Sequence, residues 1–317
     1  MPRLQILAVP NVFDSAFFLI RDTLLTAARV ADHHRASVEV VTLDGRGVRS
    51  AGGQLIRPDR AAARTRARTI VVPGFSVGDR EDDVLGYIAS RTGKRIARWL
   101  AGRHEKGTLL AAGCTGVWLL AEAGVLDGCE ATTTWYLASA FRRRYPRVNL
   151  SESKMLTRDR GVVCAGAAMA HMDLALAVVG SVFNAETSRR VAALLLLDSR
   201  PSQSHFMITD FMADQSDDLR RADTWIRENV GGPIRIADVA EALHMSARTL
   251  ARRVREASGL SPIQYIQRIR AEEAALLLKT TDLPTSTIAA RVGYGDTATL
   301  RRLMKRLLNQ TPSALRT

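Results

Sequence analysis

The sequence predicts an α/β domain on a mostly parallel sheet, followed by an all-α domain with two helix-turn-helix units. Three observations predict it. Short apolar runs alternate with helix-like segments through the first two thirds of the chain. Near the C-terminal end, a pair of short helical patterns recurs at an offset of 49 to 50 residues. Positive charge is about three times denser over residues 219–317, with 17 Lys+Arg against 9 Asp+Glu, than over the preceding 218 residues, with 28 against 23. At 317 residues the chain exceeds one small core and suits two domains.

In the first part, "LQILAVP" (4–10), "SVEVVTLDG" (37–45), "RTIVVPG" (68–74) and "GTLLAAG" (107–113) read as buried strands. Residues 13–32, 82–103 and 115–125 read as helices between and after them. Such alternation builds a parallel sheet covered on both faces, and ligands then sit beyond the strand C-termini. Asp14, Phe75, Ser76 and Cys114 all fall at those ends. Residues 199–218, Pro/Ser-rich at first and apolar in "HFMITDFM", are expected to link a domain of residues 1–198 to one of residues 219–317.

In the second part, "VAEALHMSARTLARRV" (239–254) and "IAARVGYGDTATLRRLM" (288–304) share a pattern, with one residue added in the second turn. Each reads as helix, tight turn and Arg-rich second helix, an arrangement suited to a major groove. Ser246 and Asp296 are the N-cap candidates, and Gly293 and Gly295 supply positive φ. Between the units, Ser261-Pro262 opens a predicted helix over 261–281, long enough to hold two readers about one DNA turn apart.

The run from Ser246 to Arg316, including "IAARVGYGD" and "TPSALR", closely resembles the AraC/XylS-type DNA-binding domain. Val254, Leu300 and Met304 stand where that family usually has Phe, and Asn309 where it usually has Gly. The resemblance implies promoter DNA as partner, with Ser246, Arg248, Thr249 and Arg252 presented by the first unit. Thr297, Thr299, Arg301 and Arg302 are presented by the second. Arg suits guanine O6/N7, and Thr suits a thymine methyl. Arg253, Arg255 and Arg306 are assigned to phosphates or solvent. Contact with RNA polymerase is a further implication.

"VVPGF", "GCTGVWLLAEAGVLDG" and "ATTTW" match, in order, the ThiJ/PfpI superfamily in the version joined to AraC-type readers. That resemblance implies a flavodoxin-like, glutamine-amidotransferase-like sheet over residues 4–195 and self-association as a homodimer. Cys114 would lie on a sharp strand-to-helix turn, where a helix N-terminus favours an anion and lowers a thiol pKa. Enzymatic relatives place a His directly after the cysteine or in the later Thr-Thr-His stretch. Here those positions hold Thr115 and Thr134. Asp14 matches an acidic position that in some relatives hydrogen-bonds the thiol, and His171 is a candidate base.

With no base adjacent, the expected role of Cys114 is to line a pocket with Asp14, Phe75, Ser76, Thr115, Thr134 and Trp135 for a small-molecule effector. Relatives of this two-domain type often regulate the catabolism of amino acids or quaternary amines. Two other roles remain open: a thiol switch that senses oxidants, and a cysteine hydrolase fused to a DNA-binding domain. No catalytic residue, metal or cofactor is assigned. Three widely spaced cysteines suit neither a disulfide framework nor a zinc site, and adjacent His33-His34 point apart on a helix. No apolar run is long enough to cross a bilayer, and "MPRLQILAVP" lacks the features of a signal peptide, so a cytoplasmic location is expected.

Overall fold

Buried β-branched and leucine residues put β1 (Arg3–Leu7) in the interior of a seven-stranded sheet. The computed structural model describes residues 3–31, 36–64, 67–78, 80–198, 200, 202–203, 206–213 and 216–316. Its chain divides into two units, residues 1–203 and 204–317. From β1 the chain passes through α1 (Asp14–Val30) to β2 (Ser37–Thr42), a small hairpin of β3 (Val48–Arg49) and β4 (Leu55–Ile56), and β5 (Arg60–Ala61). It then returns to the other side of β1 with β6 (Thr69–Val72).

Next come α2 (Glu81–Ala89), α3 (Arg91–His104), β7 (Leu109–Gly113) and α4 (Gly116–Glu122). The short β8 (Glu130–Ala131) and β9 (Asn149–Leu150) flank α5 (Ala138–Arg144). Last in the sheet are β10 (Leu156–Asp159) and β11 (Val162–Ala165), followed by α6 (Ala170–Val182) and α7 (Ala185–Leu194). The strand order is β10-β11-β7-β6-β1-β2-β5, and every pairing is parallel except that of β10 with β11. Arg160 and Gly161, both at positive φ, form the two-residue turn that makes this last pair antiparallel.

The chain reverses its direction of travel across the sheet between β1 and β6. The switch point, where sheets of this kind place their ligands, therefore lies beyond the C-termini of those two strands, next to the end of β7. Helices α1, α6 and α7 pack together as one set and α2, α3 and α4 as another. The apolar core between helices and sheet is continuous, with Trp118 wholly buried and set edge-on to Phe141.

The single helix expected over 82–103 is two helices. Ser90 leaves helical backbone and accepts the Gly93 amide, capping α3. A Cβ on Gly93 would lie 2.5 Å from the carbonyl oxygens of Tyr87 and Ile88, so only glycine allows this bend.

In the second unit, α8 (Thr209–Ala213) and α9 (Asp217–Glu228) precede α10 (Ile236–Ala242) and α11 (Ala247–Ser258). The long α12 (Pro262–Thr280) then leads to α13 (Thr285–Arg291) and α14 (Thr297–Leu308). Ser261 and Gln264 cap α12 reciprocally, with Pro262 in its first turn. The segment expected as a linker is divided between the units: Gln203 is buried in the first, Met207, Thr209 and Met212 in the second.

Gly116, the first residue of α4, fixes how closely the elbow after β7 approaches β6. An added Cβ would sit 2.6 Å from the Val72 carbonyl oxygen and 2.7 Å from that of Pro73, both rigid backbone atoms. Gly116→Ala is expected to destabilise the first unit by about 2–3 kcal/mol, read as a lowered denaturant midpoint with unchanged slope.

Candidate functional site

Cys114 follows the last residue of β7 and adopts φ of 54°, a left-handed conformation that costs a side-chain-bearing residue energy. The surroundings enforce it. Its N–H is shared by the carbonyl oxygens of Ala165 (3.1 Å), the last residue of β11, and Gly166 (2.8 Å). Its carbonyl oxygen accepts from the Thr133 hydroxyl (2.8 Å). The loops after β1 and β6 are zipped together beside it: Phe13 N–H donates to Gly74 O (2.8 Å), and Ser76 N–H to Asn11 O (2.9 Å). Thr115 then ties the elbow to this loop pair, its hydroxyl donating to Phe75 O (2.6 Å) and accepting from Phe75 N–H (2.7 Å).

His171, wholly buried at the start of α6, uses both ring nitrogens. Nε2 accepts from Gly74 N–H (2.9 Å), so the ring's proton lies on Nδ1, which donates to Ala168 O (2.6 Å). Burial holds its pKa down to about 4. The lone pair a base would need is already taken, so His171 braces the elbow. The signal was a ring of glycines: a Cβ on Gly113 would lie 2.5 Å from Nε2, and one on Gly74 3.3 Å from Cε1.

The thiol differs from expectation. Burial pushes the Cys114 pKa up, against the smaller opposing effects of Thr115 and Thr134. Only 8% of the residue is exposed, so desolvation outweighs the helix terminus. Cys129 and Cys164 are free and buried as well, with Cys164 pushed up to about 12.

Asp14 does not serve the thiol. It accepts from Gly52 N–H (2.7 Å) and the Ser50 hydroxyl, fastening α1 to the β3–β4 hairpin. Thr134, wholly buried, sets its hydroxyl beside the Cys114 thiol, where it favours ionisation slightly; its Oγ1 has no other hydrogen-bond partner among the described residues. Trp135 is half-buried, its ring edge-on to Tyr136 at 5.5 Å. The elbow thus gathers Cys114, Phe75, Thr115 and Thr134, with Ser76 on the adjoining zipped loop. Asp14 is turned to other work. His33 and His34 lie outside the described residues.

In the second unit, α10–α11 and α13–α14 form two helix-turn-helix pairs, with four residues in the first turn and five in the second. The left-handed position is His244 (φ 57°) in one and Gly293 (φ 78°) in the other; Gly295 does not take positive φ. Arg270 of α12 donates to Gly293 O (3.3 Å) and Gly232 O (2.6 Å), with its guanidinium 5.3 Å over the Tyr294 ring. Ser246 caps α11 by accepting from Thr249 N–H (3.1 Å), and Asp296 caps α14 by accepting from Thr299 N–H (2.7 Å) and its hydroxyl (2.8 Å).

Leu250, Val254, Leu300 and Met304 are buried, leaving the opposite faces of both helices to arginines. Arg248 and Arg301 are exposed with no hydrogen-bond or ion partner among the described residues, and Thr297 is exposed between its neighbours. Arg252 reaches Glu256 (2.9 Å), and Arg302 reaches the Thr299 hydroxyl (3.1 Å). Arg253 faces Asp218 at 3.5 Å and Arg306 bonds Gln267 (2.8 Å).

The state of His171 predicts a pH dependence. The unfolded chain takes up the imidazole proton near pH 6.5, the folded chain only near pH 4. Between those values the unfolded state binds more protons, so stability falls as pH drops, by about 3 kcal/mol in all. The stability gap between wild type and His171→Gln should therefore narrow from pH 7 to pH 4 in parallel denaturant titrations; a constant gap would assign the acid sensitivity elsewhere.

Comparison with known proteins agrees with this geometry. Residues 22–181 match the model of the DJ-1/PfpI family, and residues 239–317 match that of a helix-turn-helix domain. The chain is 26% identical over 260 residues to the HTH-type transcriptional regulator GbdR of Pseudomonas aeruginosa, covering 81% of this chain and 68% of that one. It is 27% identical over 210 residues to the HTH-type transcriptional regulator GlxA of Rhizobium meliloti, covering 64% and 63%. In structure it resembles an AraC family transcriptional regulator from Pseudomonas putida, with TM-score 0.53, 21% identity and coverage of 62% of this chain and 100% of the other. Drosophila melanogaster DJ-1beta has TM-score 0.51 at 19% identity, covering 62% and 99%. The chain belongs to the DJ-1/PfpI family and carries behind that domain an AraC-type helix-turn-helix domain, the build of a DNA-binding transcriptional regulator.

Proposed function

We propose that the Cys114 elbow is a binding site for a small metabolite and that its occupancy gates promoter recognition by the second unit. The carrying observation is the pairing at the elbow of a neutral thiol with the buried Thr134 hydroxyl, which has no other partner among the described residues. A cysteine hydrolase needs a thiolate and a base within reach. Here burial raises the thiol pKa and the nearest histidine has no free lone pair. What the elbow does offer is the buried Thr134 hydroxyl, which among the described residues has no hydrogen-bond partner but the weakly bonding Cys114 sulfur beside it and which a ligand can satisfy. The buried thiol likewise weighs against an oxidant switch, since reactivity follows thiolate character and exposure.

On this reading the protein acts in the cytoplasm as a homodimer. Two reader domains raise the effective concentration of the second DNA contact. Arg248 and Arg301, with Arg252, Arg302, Thr249, Thr297 and Thr299, supply base contacts, while the hydroxyl of Ser246 holds the cap. The regulator then engages RNA polymerase at the promoter. Among the described residues no helix is long and apolar enough to cross a membrane.

The ligand reading is tested by thermal unfolding of the full chain against amino acids and quaternary amines. A ligand at 100 times its Kd should stabilise by about 2.7 kcal/mol. Thr134→Val should remove about 1–2 kcal/mol of that gain. A panel without a shift, or a shift equal in wild type, Thr134→Val and Cys114→Ala, would refute the elbow as the site.

The reader assignment is tested by selecting bound sequences from a randomised duplex pool. Arg248→Ala and Arg301→Ala should each relax one or two positions of the selected motif, costing about 1–3 kcal/mol on the preferred site. Arg253→Ala should instead weaken all sequences alike and flatten the salt dependence. Uniform weakening by Arg248→Ala would move that residue to the phosphates.

A further inference from the structure

The two helix-turn-helix pairs share α12, and each half of that helix belongs to a different pair. In its first half, Tyr265 donates to Asp223 of α9 (2.8 Å) and Arg268 to Met207 O (2.5 Å). Helices α8 and α9 in turn pack on the first pair. In its second half, Ala274 and Leu278 join the core built by Ile288, Val292, Leu300 and Met304 of the second pair. A connecting helix by itself bends, and it leaves what hangs on one end free to roll about the axis. A fixed relation between the readers needs a contact off that axis.

Such a contact lies beside the middle of α12. Residues 229–235 lead from α9 into the first pair, and residues 292–296 are the turn of the second. The two loops meet backbone to backbone. A Cβ on Gly231 would lie 2.8 Å from the carbonyl oxygen of Arg291, the last residue of α13, and one on Gly293 would lie 2.9 Å from Val230 O. A glycine on each side is what lets them approach this closely.

Arg270, midway along α12, closes the seam. Its Nη2 donates to Gly232 O (2.6 Å) and its Nη1 to Gly293 O (3.3 Å), one carbonyl oxygen from each loop. The same guanidinium lies 5.3 Å from the centre of the Tyr294 ring, on the second loop. Gly293 makes room for it, since a Cβ there would fall 2.6 Å from Nη2. A planar, charged fork suits this place because it can bridge two carbonyl oxygens and stack on a ring at once. Lysine, with a point charge, cannot do all three.

We propose that Arg270 is the positioning residue that sets the spacing at which the two readers accept DNA. This rests on the reading that α11 and α14 both contact bases. Shifting one motif by a base pair moves it about 3.4 Å along the duplex and about 35° around it. The second reader can follow only by turning against the first. That turn draws Gly293 O and the Tyr294 ring off a guanidinium that Gly232 O still holds. Loss of a charged hydrogen bond of this kind weakens binding about tenfold or more. Distance between motifs is thereby selected by a residue that touches no base.

The test is selection of bound duplexes by the full chain from a pool randomised over about two helical turns. Both the chosen bases and the number of base pairs between the two motifs are read. Wild type should select both motifs at one spacing, and one inserted base pair should weaken binding about tenfold or more. Arg270→Met keeps an unbranched stem and removes every donor. It should select the same bases in both motifs over at least two neighbouring spacings, with the insertion penalty cut to about threefold or less. Where melting shows Arg270→Met unfolded, Arg270→Lys takes its place under the same criteria.

An insertion penalty that survives at its wild-type size in the variant overturns the proposal. So does equal weakening at every spacing, which a merely structural residue would give. A wild-type pool holding both motifs at no fixed spacing overturns it too, yet leaves both readers standing. A pool with a single motif removes the second reader and the proposal with it.

Discussion

The first unit is organised around the backbone of a single residue held where its side chain least favours it. Left-handed Cys114 costs on the order of 1–3 kcal/mol, and such strain persists only where the surroundings over-determine it. Its N–H is shared between two carbonyl oxygens, its carbonyl oxygen takes a buried hydroxyl, and the loop beside it is locked by Thr115 and His171. Each contact comes from a different stretch of chain: β11's end, the Thr132–Thr134 segment, the loop after β6 and the start of α6. Removing one redistributes strain over the others. A site so built responds as a whole to whatever touches it, which suits a receptor better than a surface that adapts locally.

The histidine shows how a residue type can mislead about chemistry. A His near a Cys suggests a dyad, yet a base must have a lone pair to give. Here that lone pair faces a peptide N–H and the ring's proton faces a carbonyl oxygen, so the imidazole behaves as a rigid spacer with one donor and one acceptor. Desolvation supports the assignment by keeping the ring neutral. The same burial pushes the thiol pKa up and keeps it protonated. Burial thus withholds both halves of a nucleophilic pair while leaving the elbow's shape intact.

Much of this was legible in the sequence because it rests on local rules. Apolar runs ending in Gly or Pro located the sheet, the recurrence at 49 to 50 residues located the two readers, and "GCTG" located the elbow. The two readers also show one geometry built by different means: His244 or Gly293 in the left-handed position, Ser246 or Asp296 as cap, Gly259 or Asn309 at the C-terminus of the second helix. Long-range pairings were not legible. Asp14 stands at the expected strand end, but its carboxylate is claimed by Ser50 and Gly52, 36 and 38 residues away. Periodicity carried a helix through Ser90, although Ser-x-x-Gly was there to mark a new cap. Gln203 sits in a Pro/Ser-rich stretch that reads as linker, and nothing local distinguishes a buried amide from an exposed one.

The arginines of the second unit carry the argument from charge to selectivity. A dense positive charge explains attraction to any duplex, since phosphates are everywhere alike. Selectivity needs donors that are free to choose. Arg253 and Arg306 are engaged by Asp218 and Gln267, and Arg252 has an alternative partner in Glu256, so part of the field is already spent within the unit. Arg248 remains uncommitted in the first turn of α11 and Arg301 in the second turn of α14, within the N-terminal halves that a recognition helix turns toward base edges. The two positions are not equivalent in the repeat, where Arg248 matches Ala298 and Arg301 matches Ala251, yet each reader keeps one unspent guanidinium.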